Sequence, residues 1–372
     1  MRILAYIHVR RALGETTGVA RHAIRMIRGL VDRHGATVEL LGARDELAVQ
    51  RRQHPDWALA DLPAHGHRLP RAVMERWWFA AGFPAADSYW PGCQWVYVPN
   101  EAYVPVRRAR LAATVHDLDC LEPDLPWYHE PPVARARRSW SAKLPRMLSR
   151  SDVVLAVSQF TRTRVIELLG VDPDRVAVVG NGVDTRFFLD DHTADAPSPE
   201  QPPYLLQVGA MIDKKGAPAV LALARRLLDR RSPIQVWISG RIEAKHVPAV
   251  AALSNVRALG FVPDDRLPLL MRRSVALILL SRYEGFGMPP LEAMAAGAPA
   301  MVSHHASLPE VAGEAGIVVD PDDPDQAADA AERLLTDASW RRAVIARGRE
   351  HATRFTWDAC VDRLQAALRD AR

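Results

Sequence analysis

The sequence has few of the residues that form disulfides or metal sites. Only three cysteines occur, Cys93, Cys120 and Cys360, and they are scattered along 372 residues. An odd number of scattered cysteines argues against a disulfide framework. No run of His, Cys, Asp and Glu has the sequence spacing of metal ligands. The sequence therefore predicts neither disulfides nor a bound metal.

Long apolar runs are also missing. None approaches the ~20 residues that a membrane-spanning helix needs. The first residues, MRILAYIHV, lead directly into a strand predicted over 2–9 and lack the pattern of a signal peptide. We therefore expect a cytoplasmic protein.

The charge balance is mildly basic, with a net charge of +4 and a pI of about 9.1. There is no signature of a nucleic-acid module and no sustained Lys/Arg tract, so we expect no nucleic-acid partner. A basic amphipathic helix predicted over 132–150 leaves two interpretations open. One is a solvated helix face, and the other is peripheral contact with an anionic membrane surface on the inner face of the membrane.

Lysine is scarce, because only four of the 48 basic residues are lysines: Lys143, Lys214, Lys215 and Lys245. The adjacent pair Lys214-Lys215 therefore stands out. It lies in a loop over 209–216 that follows a predicted strand over 204–208. Arg241 follows the next predicted strand, over 234–239. These cations are candidates to bind a phosphorylated ligand.

Strand and helix patterns alternate in both halves of the chain, which predicts an α/β protein with two doubly wound, mostly parallel sheets. A chain of 372 residues suits two domains. We assign 1–190 to the first domain and 204–355 to the second. Residues 191–203 are rich in Asp, Pro, Ser and Ala without periodicity, and are predicted to be the linker. A last helix occupies 356–372.

The most informative stretch is SRYEGFGMPPLEAMAAG, residues 281–297. It follows an apolar strand predicted over 275–280 and runs through Glu284, a Gly-Phe-Gly loop and two prolines into a helix whose first turn is predicted to carry Glu292. Backbone N–H groups at such a junction favour an anion, and carboxylates accept hydrogen bonds from hydroxyls. A phosphorylated, hydroxyl-rich ligand would fit. The alternative is that Glu292 complements the helix dipole and Glu284 is a solvated loop residue.

The N-terminal half offers weaker candidates. Gly18 opens a predicted helix after a polar loop, without a complete dinucleotide-binding motif. His116-Asp117 ends a strand predicted over 111–115, where open α/β sheets bind ligands, although His116 could equally be a satisfied buried histidine. Asp117-Leu-Asp119 also has the form of a metal–diphosphate motif. Residues 57–95 contain five tryptophans, which indicate either core packing or an acceptor surface for a carbohydrate or lipid carrier.

Several of these segments together resemble the family-4 retaining glycosyltransferases. They are His116-Asp117, 180–184, Lys214-Lys215-Gly216, and Glu284-x7-Glu292 around Gly-Phe-Gly-Met-Pro-Pro. The resemblance covers most of the chain from residue 111 onward. It implies the GT-B fold, in which two Rossmann-like domains flank a ligand cleft. It also implies that the C-terminal helix packs back on the first domain.

The resemblance assigns roles to the candidate residues. The catalytic group comprises His116, Lys215 and Glu284. The donor-binding group comprises Gly18, Lys214, Arg241, Gly285, Phe286, Gly287, Met288, Leu291 and Glu292. Within these groups Glu292 is expected to hold the nucleotide ribose, and Glu284 and His116 to lie against the transferred sugar. Neither a metal nor another cofactor is expected.

Two departures from the family pattern affect the phosphate site. Many members carry an Arg beside the glycine that opens the basic loop, where this chain has Ala210. Pro289 and Pro290 have no N–H to offer. The diphosphate is therefore expected to depend on Lys215, on the Gly18 loop and on other N–H groups such as that of Leu291.

The resemblance implies a retaining glycosyltransferase with a nucleotide-diphosphate sugar donor. The Gly-Phe-Gly-Met-Pro-Pro segment is similar to bacterial mannosyltransferases of surface polysaccharides, so GDP-mannose is the expected donor and a UDP-sugar the second choice. The acceptor is expected to be a glycan, a lipid-linked molecule or a small molecule. Two alternatives stay open: another GT-B enzyme such as an epimerase or phosphorylase, and a non-catalytic subunit that binds sugar nucleotides.

Overall fold

The structure is a computed structural model that describes residues 1–8, 17–53, 57–188 and 201–371. Most of the predicted linker, 191–200, lies outside the described residues, and so does the loop before Gly18, 9–16. Among the described helices, none is both long enough and apolar enough to cross a membrane.

The chain forms two compact units. The first contains 1–181 and 357–372, and the second contains 182–356. The sequence division assigns 182–188 to the first domain, whereas the contacts assign them to the second unit. Two interactions explain this: the N–H of Val183 donates to the carbonyl of Phe355 over 2.9 Å, and the Arg186 guanidinium lies 3.1 Å from Asp264.

Each unit contains one sheet. The strands of the first are β1 (Arg2–Tyr6), β2 (Thr37–Ala43), β3 (Ala64–His67), β4 (Trp95–Val98), β5 (Arg110–Val115), β6 (Val153–Ala156) and β7 (Val176–Val178). Those of the second are β8 (Tyr204–Val208), β9 (Gln235–Ser239), β10 (Val256–Gly260), β11 (Ala276–Leu279), β12 (Ala300–Ser303) and β13 (Ile317–Val319).

Helices connect these strands. In the first unit they are α1 (Gly18–Asp32), α2 (Arg44–Gln53), α3 (Arg71–Ala81), α4 (Pro131–Arg150) and α5 (Gln159–Leu169). In the second they are α6 (Ala217–Asp229), α7 (Val247–Ala251), α8 (Leu267–Arg272), α9 (Met288–Ala296), α10 (Leu308–Ala312), α11 (Pro324–Thr336) and α12 (Ala338–Ala352). The chain then returns to the first unit as α13 (Trp357–Asp370).

Both sheets are parallel and doubly wound. The strand order is β3-β2-β1-β4-β5-β6-β7 in the first and β10-β9-β8-β11-β12-β13 in the second. Because parallel strands are covered on both faces, they read as continuous apolar runs, and β11 and β4 are buried throughout. The winding direction reverses between β1 and β4 and again between β8 and β11. Such switch points open a crevice at the carboxyl ends of the strands, where ligands bind. This confirms the predicted α/β class of two Rossmann-like domains.

The C-terminal helix α13 completes the core of the first unit. Its Cys360, Val361 and Leu364 are buried together with β-strand residues of that unit. A β-carbon added at Gly29 of α1 would lie 2.4 Å from Cγ2 of Val361, so the two helices approach closely. The Arg33 guanidinium adds a contact of 2.6 Å with Asp362. Helix α13 therefore packs against α1 through both apolar and charged contacts.

The tryptophan-rich segment contributes mainly to the core. Trp57, Trp78 and Trp95 are buried, and the Trp78 indole N–H donates to the carbonyl of Pro84 over 2.8 Å. Trp77 is the exposed member, at 51%. Core packing therefore accounts for three of the five tryptophans.

The basic helix α4 directs several of its arginines onto its own unit. Arg146 donates to the carbonyl of Phe79 over 2.6 Å, and Arg150 donates to the Tyr103 hydroxyl over 2.9 Å. Arg137 lies 3.7 Å from the ring centre of Tyr128. These arginines stabilise local packing and contribute less to a solvated face than the sequence pattern suggests.

Gly216, at the start of α6, gives a stability prediction. Its φ is +76°, and an added β-carbon would lie 1.9 Å from the carbonyl oxygen of Leu280. Gly170 ends α5 with a similar φ of +62° but has no atom within 4 Å of that position. Gly170→Ala should lower the free energy of unfolding by about 1–2 kcal/mol, the cost of a left-handed conformation. Gly216→Ala should cost at least twice as much, because the backbone after β11 must also move. Equal losses in urea-unfolding experiments would contradict the close approach.

Candidate active site

Lys215 lies at the switch point of the second sheet. The chain leaves β8 and makes a 3-10 turn over Asp213–Lys215, and Gly216 is then the N-cap of α6. The Lys215 side chain runs beside Gly209, where an added β-carbon would lie 3.6 Å from its Cδ. Its Nζ lies 2.9 Å from Oε1 of Glu284, with side-chain exposures of 28% and 13%. The loops after β8 and β11 thus meet in an ion pair that is largely shielded from water.

The loop after β11 is held by side-chain hydroxyls. Ser281 is buried, and its hydroxyl donates to Oε1 of Glu284 over 3.0 Å. The Ser307 hydroxyl lies 2.8 Å from the carbonyl of Glu284 and 2.9 Å from that of Phe286. The N–H of Arg282 donates to the carbonyl of Lys214 over 3.0 Å. Ser281 and Ser307 were not predicted as site residues, because a serine in a loop carries no distinctive signal.

The glycine loop leads into α9 as a compact turn. Phe286 and Leu291 are buried. Gly285 and Gly287 are the residues before and after Phe286 in the sequence. Gly287 has a φ of +90°, and an added β-carbon would lie 2.5 Å from a methyl group of Leu308. Helix α9 begins at Met288, after the N-cap residue Gly287, with prolines in its first turn. The N–H groups that its start can offer to an anion are therefore those of Gly287 and Met288, because the N–H of Leu291 makes the first bond within the helix.

Glu292 is 4% exposed. It is the fifth residue of α9, whose first turn holds no acidic residue. The prediction of Glu292 in the first turn is therefore wrong, because the helix begins at Met288 and not after the prolines. A nearly buried carboxylate in the second turn is not a simple complement to the helix dipole, which acts within the first turn.

The other two predicted cations occupy different positions. The Lys214 ammonium lies 5.7 Å from the ring centre of Tyr283. Arg241 is exposed after β9, and its carbonyl accepts a hydrogen bond of 2.8 Å from the N–H of Met211. In the second unit, the structure therefore brings Lys215 and Glu284 into direct contact, whereas Lys214 is directed toward an aromatic ring.

A cluster beside this loop was missed by the sequence analysis. Asp213, Glu243 and His246 place ligand atoms within 4.8 Å of one another, although sequence spacing predicted no metal-ligand group. The three residues come from two separate loops, so spacing could not reveal them. The Lys245 ammonium lies 2.6 Å from Asp213 and 3.6 Å from Glu243. It therefore neutralises the carboxylates that a metal ion would need.

The first unit places His116 directly after β5. Its Nε2 lies 2.8 Å from the carbonyl of Pro99, and a carbonyl can only accept, so Nε2 carries the proton. The backbone N–H of His116 donates to Oε1 of Glu101 over 2.6 Å. With Nε2 protonated, a neutral ring presents Nδ1 as an acceptor. The Asp117-Leu-Asp119 segment is instead a local turn, in which Asp117 accepts from the N–H of Asp119 over 3.4 Å.

Gly18 is the first residue of α1, which also carries a second histidine. His22 is fully buried, and its ring centre lies 4.9 Å from that of His116 in an edge-to-face arrangement. Its Nδ1 lies 2.7 Å from Oδ1 of Asn181. Helix α1 therefore links Gly18 to His116 through His22, which the sequence analysis did not single out.

The environment of His22 gives a pH prediction. Burial and, to a smaller extent, the neighbouring His116 lower its pKa from 6.5 to about 3, although the hydrogen bond to Asn181 acts to raise it. At a pH between about 3 and 6.5, this histidine binds a proton in the unfolded chain but not in the folded chain. The free energy of unfolding therefore falls as the pH drops below 6.5. The free energy of unfolding should decrease by about 1.4 kcal/mol per pH unit from this group alone.

The matched variants are His22→Gln and His129→Gln, since His129 is exposed. His22→Gln should flatten the decline measured between pH 6 and pH 4, and His129→Gln should leave it unchanged. An identical pH dependence in wild type and His22→Gln would contradict the neutral, buried state of His22.

Comparisons with known proteins agree with this architecture. Residues 16–187 match the family model described as Glycosyltransferase Family 4, and residues 190–351 match the model described as Glycosyl transferases group 1. The chain is 31% identical over 278 residues to the O-antigen chain mannosyltransferase B of Escherichia coli, with 72% of each protein covered.

Solved structures share the fold. A sucrose-phosphate synthase from Thermosynechococcus elongatus matches with a TM-score of 0.75 at 16% identity, covering 99% of this chain and 98% of that one. Anabaena HepE in complex with UDP-glucose matches with a TM-score of 0.67 at 16% identity, covering 99% of both chains. At these identities the likeness concerns the fold alone. Together with the sequence matches, it shows that the chain belongs to the family-4 glycosyltransferases of the GT-B fold.

Proposed function

We propose that this glycosyltransferase is a retaining, metal-independent enzyme that transfers mannose from GDP-mannose to a glycan or lipid-linked acceptor, in the synthesis of a bacterial surface polysaccharide or glycoconjugate. The observation that carries the proposal is the ion pair between Lys215 and Glu284 at the switch point of the second sheet. A cation and a carboxylate held side by side suit a ligand that presents both a diphosphate and sugar hydroxyls.

Lys215 acts on the leaving group. As the glycosidic bond breaks, negative charge grows on the diphosphate oxygen, and a fixed cation there gains more interaction in the transition state than in the ground state. The shielded position of Lys215 strengthens this interaction, because few water molecules screen it. Lys215 thereby supplies the charge that a metal ion would otherwise provide.

The start of α9 holds the rest of the nucleotide. The N–H groups of Gly287 and Met288 and the positive end of the helix dipole favour the diphosphate. Glu292 accepts hydrogen bonds from the two ribose hydroxyls, and Arg241 and Lys214 add long-range attraction for the anion.

The donor sugar is oriented by an acceptor of hydrogen bonds. Glu284, fixed by Ser281 and Lys215, accepts from a sugar hydroxyl. The bond from the anomeric carbon to the phosphate oxygen breaks while the bond to the acceptor oxygen forms on the same face. The acceptor proton passes to the departing phosphate oxygen. Because the new bond forms on the face from which the phosphate leaves, the configuration is retained without a covalent intermediate.

The choice of sugar rests on relatives. The Escherichia coli relative is named as a mannosyltransferase, which supports mannose, and HepE binds UDP-glucose, which supports a UDP-sugar as the alternative donor.

The test measures the GDP released from GDP-mannose in excess EDTA. It compares the turnover of Lys215→Ala with that of Lys214→Ala. Lys215→Ala should lower turnover by about 10²–10³, as does the loss of one donor in an oxyanion hole. The KM for GDP-mannose should change much less. Lys214→Ala is the matched control, since its ammonium is directed toward Tyr283, and it should cost less than about tenfold, or 1.4 kcal/mol.

Four results would contradict the proposal. Normal turnover in both variants would place the diphosphate elsewhere. Activity lost in EDTA and restored by Mg²⁺ or Mn²⁺ would show that a metal carries the charge. Conversion of GDP-mannose into another sugar nucleotide, or binding without turnover, would identify an epimerase or a non-catalytic subunit.

A further inference from the structure

A groove lies on one face of the second sheet, at the end of the sheet that β10 forms. It measures about 650 Å³, and side chains of β8, β9, β10 and α8 line it. Its volume is within the range of ~300–1,000 Å³ that ligand sites have. Lys215, Glu284 and Glu292 are not among the lining residues, so the groove is a different site from the one described above.

Two stacked aromatic rings form the floor of the groove. The ring centres of Tyr204 and Trp237 lie 3.9 Å apart, with an angle of 5° between the ring planes. The Tyr204 hydroxyl donates to the carbonyl of Leu270 over 2.7 Å, and the Trp237 indole N–H donates to Gln235 over 2.8 Å. The floor is therefore an apolar surface whose polar atoms already have partners.

Apolar side chains at the rim are open to solvent. Phe261 is 70% exposed and Leu269 is 41% exposed, and both line the groove. Single exposed apolar residues are common on protein surfaces, whereas apolar side chains that adjoin one another and a groove mark an interaction site. The groove thus has aromatic and aliphatic side chains that can serve as anchors for a partner.

Positive charge surrounds this apolar surface. Three arginines line the groove, and they are Arg257, Arg266 and Arg273. The Arg257 guanidinium lies 4.9 Å from the ring centre of Trp237. In the described part of the chain, no carboxylate forms an ion pair with any of the three, whereas Arg226 elsewhere on the second unit pairs with Asp325 over 2.6 Å. Asp265 is the acidic side chain among the lining residues. The remaining excess of positive charge favours an acidic partner.

Strand β10 forms an open edge of the second sheet. Among the described strands it pairs with β9 alone, so the backbone N–H and C=O groups on its other side have no strand partner there. Arg257 and Leu259 both line the groove, because every second side chain of a strand points to the same face. A further strand at this edge would bond to β10 and direct every second side chain toward the groove.

The arginines also have a simpler interpretation, since a charge on an edge strand can serve only to prevent aggregation. That role needs a charge on the strand itself, as Arg257 provides. Arg266 and Arg273 instead precede and follow α8. Arginines from two elements that converge on one groove favour a charged partner. A second copy of this chain is disfavoured, because two such grooves would bring like charges together.

We infer that this groove and the edge of β10 form a docking surface for an extended acidic segment of a partner protein. The segment adds as a strand beside β10, its carboxylates pair with Arg257 and Arg266, and an apolar side chain packs against Phe261. Main-chain hydrogen bonds give such a contact its affinity, and the alternate side chains give it specificity. The inference goes beyond the proposed function, since neither the sugar donor nor the acceptor takes part.

The test measures binding of labelled hexapeptides to the whole chain by fluorescence polarisation. Threonine occupies every second position, and the other positions carry Asp, Glu, Lys, Leu, Phe and Trp in all combinations. The tightest peptides should combine an acidic residue with an apolar one, and added salt should weaken them. N-methylation of one alternate set of residues should abolish binding and that of the other set should not, because only every second N–H of an added strand faces β10.

Variants of the groove locate the binding. Arg257→Glu and Arg266→Glu should each weaken the tightest peptide by about tenfold or more, the effect of losing a hydrogen bond to a charged group. Phe261→Ala should weaken it by a similar factor, because an apolar contact is lost. These side chains are exposed, so the unfolding temperatures of the variants should stay near that of the wild type.

The matched controls are Arg225→Glu, Arg347→Glu and Val247→Ala. Their side chains are exposed and do not line the groove, so peptide binding should be unchanged. The inference is overturned if no peptide binds, if lysine peptides bind as tightly as acidic ones, or if the groove variants bind like the wild type. A wild-type dimer in sedimentation experiments that Arg257→Glu dissociates would assign the surface to a second copy and also overturn it.

Discussion

The contact between Lys215 and Glu284 is the constraint on which the second unit's site depends. Bringing a cation and a carboxylate out of water costs free energy that their attraction recovers only when the geometry is good. The structure provides that geometry through Ser281, which donates to the same carboxylate oxygen, and through Gly216, where any side chain would meet the backbone after β11. Removing either partner would leave a shielded charge without its counterpart.

The two sheets repeat one arrangement with different chemistry. In each, polar groups leave the carboxyl ends of two adjacent strands at the point where the winding reverses. In the second sheet these groups are Lys215 and Glu284, which suit a phosphorylated sugar. In the first they are His8 and Glu101, which follow β1 and β4. A doubly wound topology thus brings polar loop residues together in each unit at the place where open α/β sheets bind ligands.

Local patterns predicted much of the fold. Strand β8 has the predicted bounds, 204–208, and the strands predicted over 111–115, 234–239 and 275–280 end within one residue of β5, β9 and β11. Strand β4 was missed, because WVYV lies in a segment dense in tryptophan and proline where packing and not periodicity selects the strand. The start of α9 was misplaced by the two prolines, which are tolerated within a first turn.

The site was predictable only where its residues are close in sequence. Glu284 and Glu292 share one loop and helix, so their spacing carried a signal. His22 beside His116, and Asp213 beside His246, meet through tertiary structure, which no spacing reveals. The pairing of Lys215 with Glu284 lies between these cases, since both residues were predicted for the site but their contact was not.

The central claim is that a nucleoside diphosphate binds the second unit with its ribose on Glu292. Isothermal titration of GDP and UDP into the wild type and Glu292→Gln tests it most directly. An amide has one acceptor oxygen where the carboxylate has two, so the affinity should fall by about 1.5–3 kcal/mol, the range for hydrogen bonds to a charged group. The thermal stability of the variant should remain near that of the wild type. Unchanged affinity for both nucleotides would remove Glu292 from the site and contradict the account.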